Sequence, residues 1–230
     1  MYKFIFLAFL IYFPTLHAMS SHISPSKAVD YAISKYRAKK EPRIIAKFVK
    51  VNVPYPPKKL ALLVFKKEKT ILLWGKDQNN KWRYVSTYPL MASSGSLGPK
   101  LKEHDKQIPE GIYKLTMFNP YSNYHLSMML NYPNAFDKLH AHYDGRKKLG
   151  GEIFLHGKTF SVGCLAVGDD AIEELFLISR RAGLDHIRVV IAPNDLRIAK
   201  PATNLYYQPK WLPELYNQLA KVLKQFPVTT

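Results

Sequence analysis

The chain has 230 residues, 47% hydrophobic and 22% charged, which excludes a disordered polymer and allows one domain with a sizeable core plus extra segments. Its formal charge is +17, from 34 Lys and Arg against 17 Asp and Glu, so anionic surroundings are expected. One cysteine excludes a disulfide within the chain.

The first residues read as an address. Lys3 supplies a positive start, residues 4–13 form an apolar run, Pro14 breaks it, and Leu16-His17-Ala18 ends on a small residue. The run holds 10 residues, too short for a membrane-crossing helix, which needs about 20. Residues 1–18 are therefore expected to be a secretory signal peptide cleaved after Ala18, with an uncleaved anchor as the alternative. No later stretch reaches transmembrane length, so no stable membrane span is expected. Loss of Lys3 with the leader takes the charge from +17 to +16. Export argues against nucleic acid as the partner of that charge. It favours anionic cell-wall polymer or a membrane surface, with a merely soluble basic surface as the bland alternative.

Residues 19–58 are expected to hold a helix and a Pro-rich linker. Ser24 can cap and Pro25 suits a first turn, while Ala28, Tyr31, Ala32 and Lys35 follow helical spacing to residue 40. Glu41-Pro42 is expected to end this helix, and Pro54, Pro56 and Pro57 mark the linker. A sheet region follows. Residues 60–65 and 70–74 are apolar runs around the polar turn Lys66-Lys67-Glu68-Lys69, which reads as a hairpin. Strands are also expected over residues 81–91, 111–118, 124–130 and 152–156. The second of these runs alternates at Ile112, Leu115 and Met117 with one slip. Residues 92–109 and 131–151 read as long loops, a kind that is usually functional or mobile.

Asp170 with Glu173 reads as a capping box opening a helix along Ile172, Leu175, Phe176 and Ser179, stopped by Gly183. Residues 186–193 read as a buried strand. Residues 210–226 read as a basic amphipathic helix with Leu212, Leu215, Leu219, Val222 and Leu223 apolar, docked on the domain rather than on a membrane. The whole implies a mainly β domain with flanking helices, an α+β fold.

The thiol has three readings: a buried inert group, an intermolecular link or a nucleophile. Its neighbours bear on the choice. "EIFLHG" is a strand ending in His156, and "VGCLAVG" brings Cys164 back eight positions later. An imidazole beside a thiol can take its proton and leave the thiolate that attacks carbonyl carbon. Gly163 leaves room for substrate, and backbone N–H groups near Cys164 are candidate oxyanion donors. His125, His140 and His142 fit no strong zinc spacing and read as loop or pocket-wall residues.

The stretch "IFLHGKTFSVGCLAVGDDAIEELF" resembles the signature of the L,D-transpeptidase catalytic domain, the YkuD-type family, and especially its YafK-like branch. His156-Gly157 and Ser161-Val162-Gly163-Cys164 match the family's His-Gly and Ser/Thr-x-Gly-Cys blocks. "GPKLKEHDKQIPEGIYKL", "YHLSMMLNYPN" and "DGRKKLGGEIFLHG" resemble that branch in the same order, over roughly residues 60–197. The resemblance implies a catalytic domain over residues 59–199, followed by a basic helical tail over residues 200–230. It implies an exported or periplasmic enzyme that acts on peptidoglycan stem peptides without metal or other cofactor. Cys164 would be the nucleophile, His156 the base and the Gly157 carbonyl its orienting partner. Arg146, with Ser161 and Gly163, is the candidate substrate-binding set, the guanidinium meeting a stem carboxylate; a solvated loop charge is the alternative for Arg146. Val162 and Ala166 depart from a histidine and an arginine that many members carry there. That leaves open whether the acyl group passes to an amine, on a second stem or a wall-linked lipoprotein, or to water in an amidase reaction. A non-catalytic cationic wall-binding protein is the reading from another class.

Overall fold

The computed structural model describes residues 25–92, 94–203 and 208–228. The expected leader, its cleavage site and Ser24 lie outside the described residues. Eight strands form one mixed sheet: β1 (Leu60–Phe65), β2 (Thr70–Lys76), β3 (Trp82–Pro89), β4 (Gly111–Asn119), β5 (Ser127–Leu130), β6 (Phe154–His156), β7 (Leu165–Ala166) and β8 (Ile187–Ala192). Their order is β3-β2-β1-β8-β4-β5-β6-β7, and only the β1–β8 and β6–β7 pairs are parallel. Met91 N–H donates to the Ala166 carbonyl at 2.8 Å, and Ala92 bridges Ala166. The chain leaving β3 thus touches β7, and the sheet curls back on itself. With α1 (Pro25–Lys50), α2 (Ala135–Tyr143), α3 (Asp169–Ala182) and α4 (Leu212–Leu223), this is the mainly β fold with flanking helices that the sequence implies.

The continuous apolar runs of β1 and β8 follow from burial on both faces. Leu60, Leu62 and Val64 meet Ile187, Val189 and Ile191 in a core roofed by α1 and α3. Ala61, Leu63 and Phe65 point the other way, with Val190 and Ala192, onto Leu212, Leu215, Leu219 and Leu223 of α4. The tail helix is therefore docked. Among the described residues no helix is long and apolar enough to cross a membrane.

Four local expectations need correction. Helix α1 does not stop at Glu41 but runs through Pro42. A proline inside a helix costs about 3 kcal/mol, but the turns beyond it bury Ile44 and Phe48 completely. Each such burial returns roughly 1.5–3 kcal/mol. Helix α3 starts at Asp169 behind Gly168, with no side-chain cap. The expected box fails because Asp170 and Glu173 pair with Lys40 across the α1–α3 interface, and Glu173 also with His125 in the turn before β5. Residues 135–143, read as loop, are helical, opened by a real capping box between Asn134 and Asp137. In β4 the buried side chains are Tyr113 and Leu115, while Met117 is exposed, because a bulge between Leu115 and Met117 turns the strand over.

One polar knot ties these layers together. Lys66 and Glu110 are 4% and 1% exposed, and their charged ends meet at 2.9 Å. Lys66 Nζ also donates to the carbonyls of Gly98 and Ile108, at 2.7 and 3.0 Å. Glu110 accepts from Gly98 N–H at 2.7 Å and from the Tyr216 hydroxyl of α4 at 3.0 Å. Burial holds the Lys66 ammonium below its usual range, and the Glu110 carboxylate opposes that shift. Removing one member of a buried pair leaves an uncompensated charge. Lys66→Met should therefore lower stability by about 3–5 kcal/mol in urea unfolding. Lys66→Met/Glu110→Gln should recover part of that loss; a single variant within about 1 kcal/mol of the parent would show that the knot carries no such role.

Candidate active site

Cys164 stands one residue before β7, where Leu155 pairs with Leu165 and His156 with Ala166. Leu155 and Leu165 point into the core. The alternation therefore places His156 and Cys164 together on the opposite face, as diagonal neighbours on adjacent strands. Three residues shape the turn before the thiol. Ser161 Oγ accepts from Cys164 N–H at 3.0 Å and donates to the Cys164 carbonyl at 2.7 Å. Ser94 Oγ accepts from Gly163 N–H at 2.6 Å and donates to the Lys106 carbonyl at 2.6 Å. Gly163 has φ +88° and faces the Gln107 carbonyl, so a side chain there would be strained. The backbone N–H groups of Gly163 and Cys164, two of those near the thiol, are thus taken by serine hydroxyls.

The thiol is half-buried. Its sulfur accepts from Phe154 N–H at 3.4 Å and donates toward the Glu152 carbonyl at 3.7 Å. Glu152 reaches that position at φ +53°. His156 is buried, with the Tyr124 ring against it at 4.6 Å between centroids. Its Nδ1–H donates to the Gly157 carbonyl at 2.6 Å, which leaves Nε2 as the basic nitrogen of the neutral ring. Gly157 admits no side chain, since a Cβ would lie 2.7 Å from Asp169 Oδ1 and 2.8 Å from the Tyr124 carbonyl. Among the described residues no hydrogen bond joins thiol and imidazole.

Cys164 opens into a cavity of about 430 Å³ lined also by Lys100, Glu103, His104, Lys106 and Glu152. A larger cavity of about 710 Å³, between Tyr88, Met91, Lys158 and α3, touches neither Cys164 nor His156. Arg146 lies outside the thiol's cavity. Its guanidinium is engaged by Asp144 at 2.9 and 3.0 Å and by the Leu101 carbonyl at 2.9 Å, and it lies over the Trp211 ring. Its fork is filled, so the cations that face the nucleophile are Lys100 and Lys106, with His104 beside them. Nothing in the spacing of these residues marks them. Lys100 is brought in by a loop wound around Asp105, which it meets at 2.6 Å and which also accepts from the N–H groups of Leu101, Lys102 and Gln107. Ala166 is fully buried and Val162 half-exposed, so neither offers a polar grip. His125 bonds Glu173, and His140 stacks on Trp211. Among the described residues no group of three or more His, Cys, Asp or Glu converges as a metal site.

Burial pushes the Cys164 thiol up; the Phe154 N–H and Lys100 charge pull it down, and Glu152 adds to the rise. Burial pushes the His156 imidazole down, partly offset by its bond to Gly157. The resting pair is therefore thiol and neutral imidazole. Thiol alkylation should rise with pH only above the ordinary cysteine range. Glu152→Gln should move that rise to lower pH and speed alkylation at fixed pH; Lys100→Met should do the reverse. Rates from pH 6 to 10 check this, and a Glu152→Gln curve superimposable on the parent's would contradict it.

The comparisons follow the same residues. Residues 59–191 match the family model described as the L,D-transpeptidase catalytic domain, YkuD. The chain is 32% identical over 115 residues to the L,D-transpeptidase-family protein YafK of Escherichia coli strain K12, covering 49% of this chain and 44% of YafK. The same figures hold for YafK of Escherichia coli O157:H7. The chain thus matches less than half the length of these curated relatives. The crystal structure of the helical cell shape determining protein Pgp2 from Campylobacter jejuni, in a point-mutant form, superposes with a TM-score of 0.50 at 20% identity. That superposition covers 85% of this chain and 61% of Pgp2, and it concerns the fold alone. With more than half of its residues matched by the family model, the chain belongs to the YkuD family of L,D-transpeptidase catalytic domains.

Proposed function

We propose that the protein is an exported cysteine acyltransferase of peptidoglycan, with residues 59–199 as its catalytic unit, Cys164 as nucleophile and His156 as base. One observation carries the reading. The only thiol in the chain opens into a cavity, and on the same face of the sheet lies a neutral imidazole locked through Nδ1 on the Gly157 carbonyl. In the first step His156 Nε2 takes the thiol proton and the thiolate adds to the carbonyl of the third, L-configured centre of a tetrapeptide stem. The C–N bond to the terminal D-alanine breaks, and His156 returns the proton to its amine. A Cys164 thioester remains. In the second step an acceptor amine, on another stem or a wall-linked protein, loses its proton to His156 and attacks the thioester. The C–S bond breaks and the thiol is restored. Stem carboxylates meet Lys106 and His104 in place of Arg146, while Lys100 stays paired with Asp105. Ser161 and Gly163 serve by shaping the turn rather than by holding substrate.

The second reading, hydrolysis, is supported by the departures at Val162 and Ala166. The half-exposed Val162 and buried Ala166 leave no side chain to hold an acceptor stem beside the thiol. Water would then take the acyl group by the same residues in the same roles.

The test uses purified protein with tetrapeptide-rich wall material, with and without a D-amino acid acceptor, and products identified by mass. Exchanged product supports transfer, and hydrolysed product alone moves the assignment to amidase. Cys164→Ala should keep its circular dichroism spectrum and form no product; turnover in that variant would sink the mechanism. His156→Ala should slow turnover by about 10²–10⁴-fold. Its alkylation profile should superimpose on the parent's, since the resting thiol is bonded to Glu152 and Phe154 rather than to the imidazole.

A further inference from the structure

A second concave surface lies at the other end of the central strands. The knot at Lys66 sits past the C-terminal ends of β1 and β8, where Phe65 pairs with Ala192. At their N-terminal ends, where Leu60 pairs with Ile187, a cavity of about 520 Å³ opens between the sheet and the end of α4. It shares no lining residue with the cavity of Cys164.

The charges there are uneven. Lys59, Lys114, His186 and Arg188 line the cavity, all exposed, with Asp185 as its one carboxylate. None of the four basic side chains has a hydrogen-bond or ion-pair partner among the described residues. Lys114 and Arg188 are directly paired across β4 and β8. Residues directly opposite in an antiparallel pair share a face, and like charges so placed destabilise the sheet. Two residues on, Ile112 and Val190 hold the equivalent paired position with apolar side chains. Tolerating a lysine against an arginine has a physical reason if an anion bridges them. Arg188 and Lys114 come from the neighbouring strands β8 and β4, and Lys59 stands immediately before β1, the strand on the other side of β8. Strands lie about 4.8 Å apart, so the cations form a row about 10 Å long, over a floor that includes Trp82, Ile112 and Val222. One small anion cannot answer such a row; a chain with repeated charges can.

We propose that this groove is a second, non-catalytic site that binds the oxyanion groups, carboxylate or phosphate, of an extended anionic polymer. The arginine takes one oxyanion in its fork while the lysines meet the next. The proposal stands whether or not Cys164 performs the chemistry assigned to it.

The test measures equilibrium binding of the full chain to poly-L-glutamate and to long-chain polyphosphate at low and high salt. Free glutamate and inorganic phosphate serve as monovalent arms. Lys114→Gln/Arg188→Gln should weaken polymer binding by about tenfold or more, and binding by the parent should fall with salt. Lys67→Gln/Lys69→Gln, in the β1–β2 turn, removes the same charge and should cost less than about threefold. The two polymers separate carboxylate from phosphate as the preferred group, and tight binding of either supports the site. Unchanged alkylation of Cys164 in both variants shows that the fold is kept. Equal losses in the two double variants would reduce the effect to overall charge and overturn the proposal. So would failure to bind either polymer, or inorganic phosphate binding as tightly as polyphosphate.

Discussion

The buried contact between Lys66 and Glu110 sets the geometry on which the candidate active site rests. Two charges in a dry interior gain little net stability, because desolvation opposes their attraction. What they achieve is placement. The ammonium gathers the Gly98 and Ile108 carbonyls, and the carboxylate gathers Gly98 N–H and the Tyr216 hydroxyl. The end of β1, the loop over residues 94–109 and helix α4 are thereby fixed to one point. Apolar replacements could fill the same volume without satisfying those backbone groups.

The loop held by that knot builds one side of the thiol's surroundings. It carries Ser94, which binds Gly163 N–H, and Lys100, whose charge favours the thiolate. The other side comes from β6 and the residues before it, with Phe154 N–H and the Glu152 carbonyl on the sulfur. The resting arrangement keeps the thiol proton on the sulfur and the imidazole neutral. In the proposed mechanism, proton transfer to His156 requires the thiol to turn away from Glu152.

Parts of this were legible in the chain. A strand-end histidine and a Gly-Cys turn eight residues apart sit close in sequence, so one short strand pairing suffices to bring them to one face. The docking of α4 was legible because its apolar stripe needs a partner whatever that partner is. The setting of Arg146 was hidden for the opposite reason. Its partners are Asp144 nearby, the Leu101 carbonyl and the Trp211 ring, and the last two depend on where a loop and a tail helix arrive. The continuation of α1 through Pro42 was hidden likewise, since the local penalty is visible in sequence and the burial of Ile44 and Phe48 is not.

By itself the sequence determined the fold class, the central strands and the motif that carries His156 and Cys164, because hydrophobic period and short motifs are local quantities. Tertiary structure alone decided which cations face the thiol, which N–H groups are already bonded and which acidic residues cap a helix or bind another one. Asp170 and Glu173 carry a capping pattern and yet pair with Lys40 on α1, because a charge near a helix end takes the stronger partner that packing brings to it.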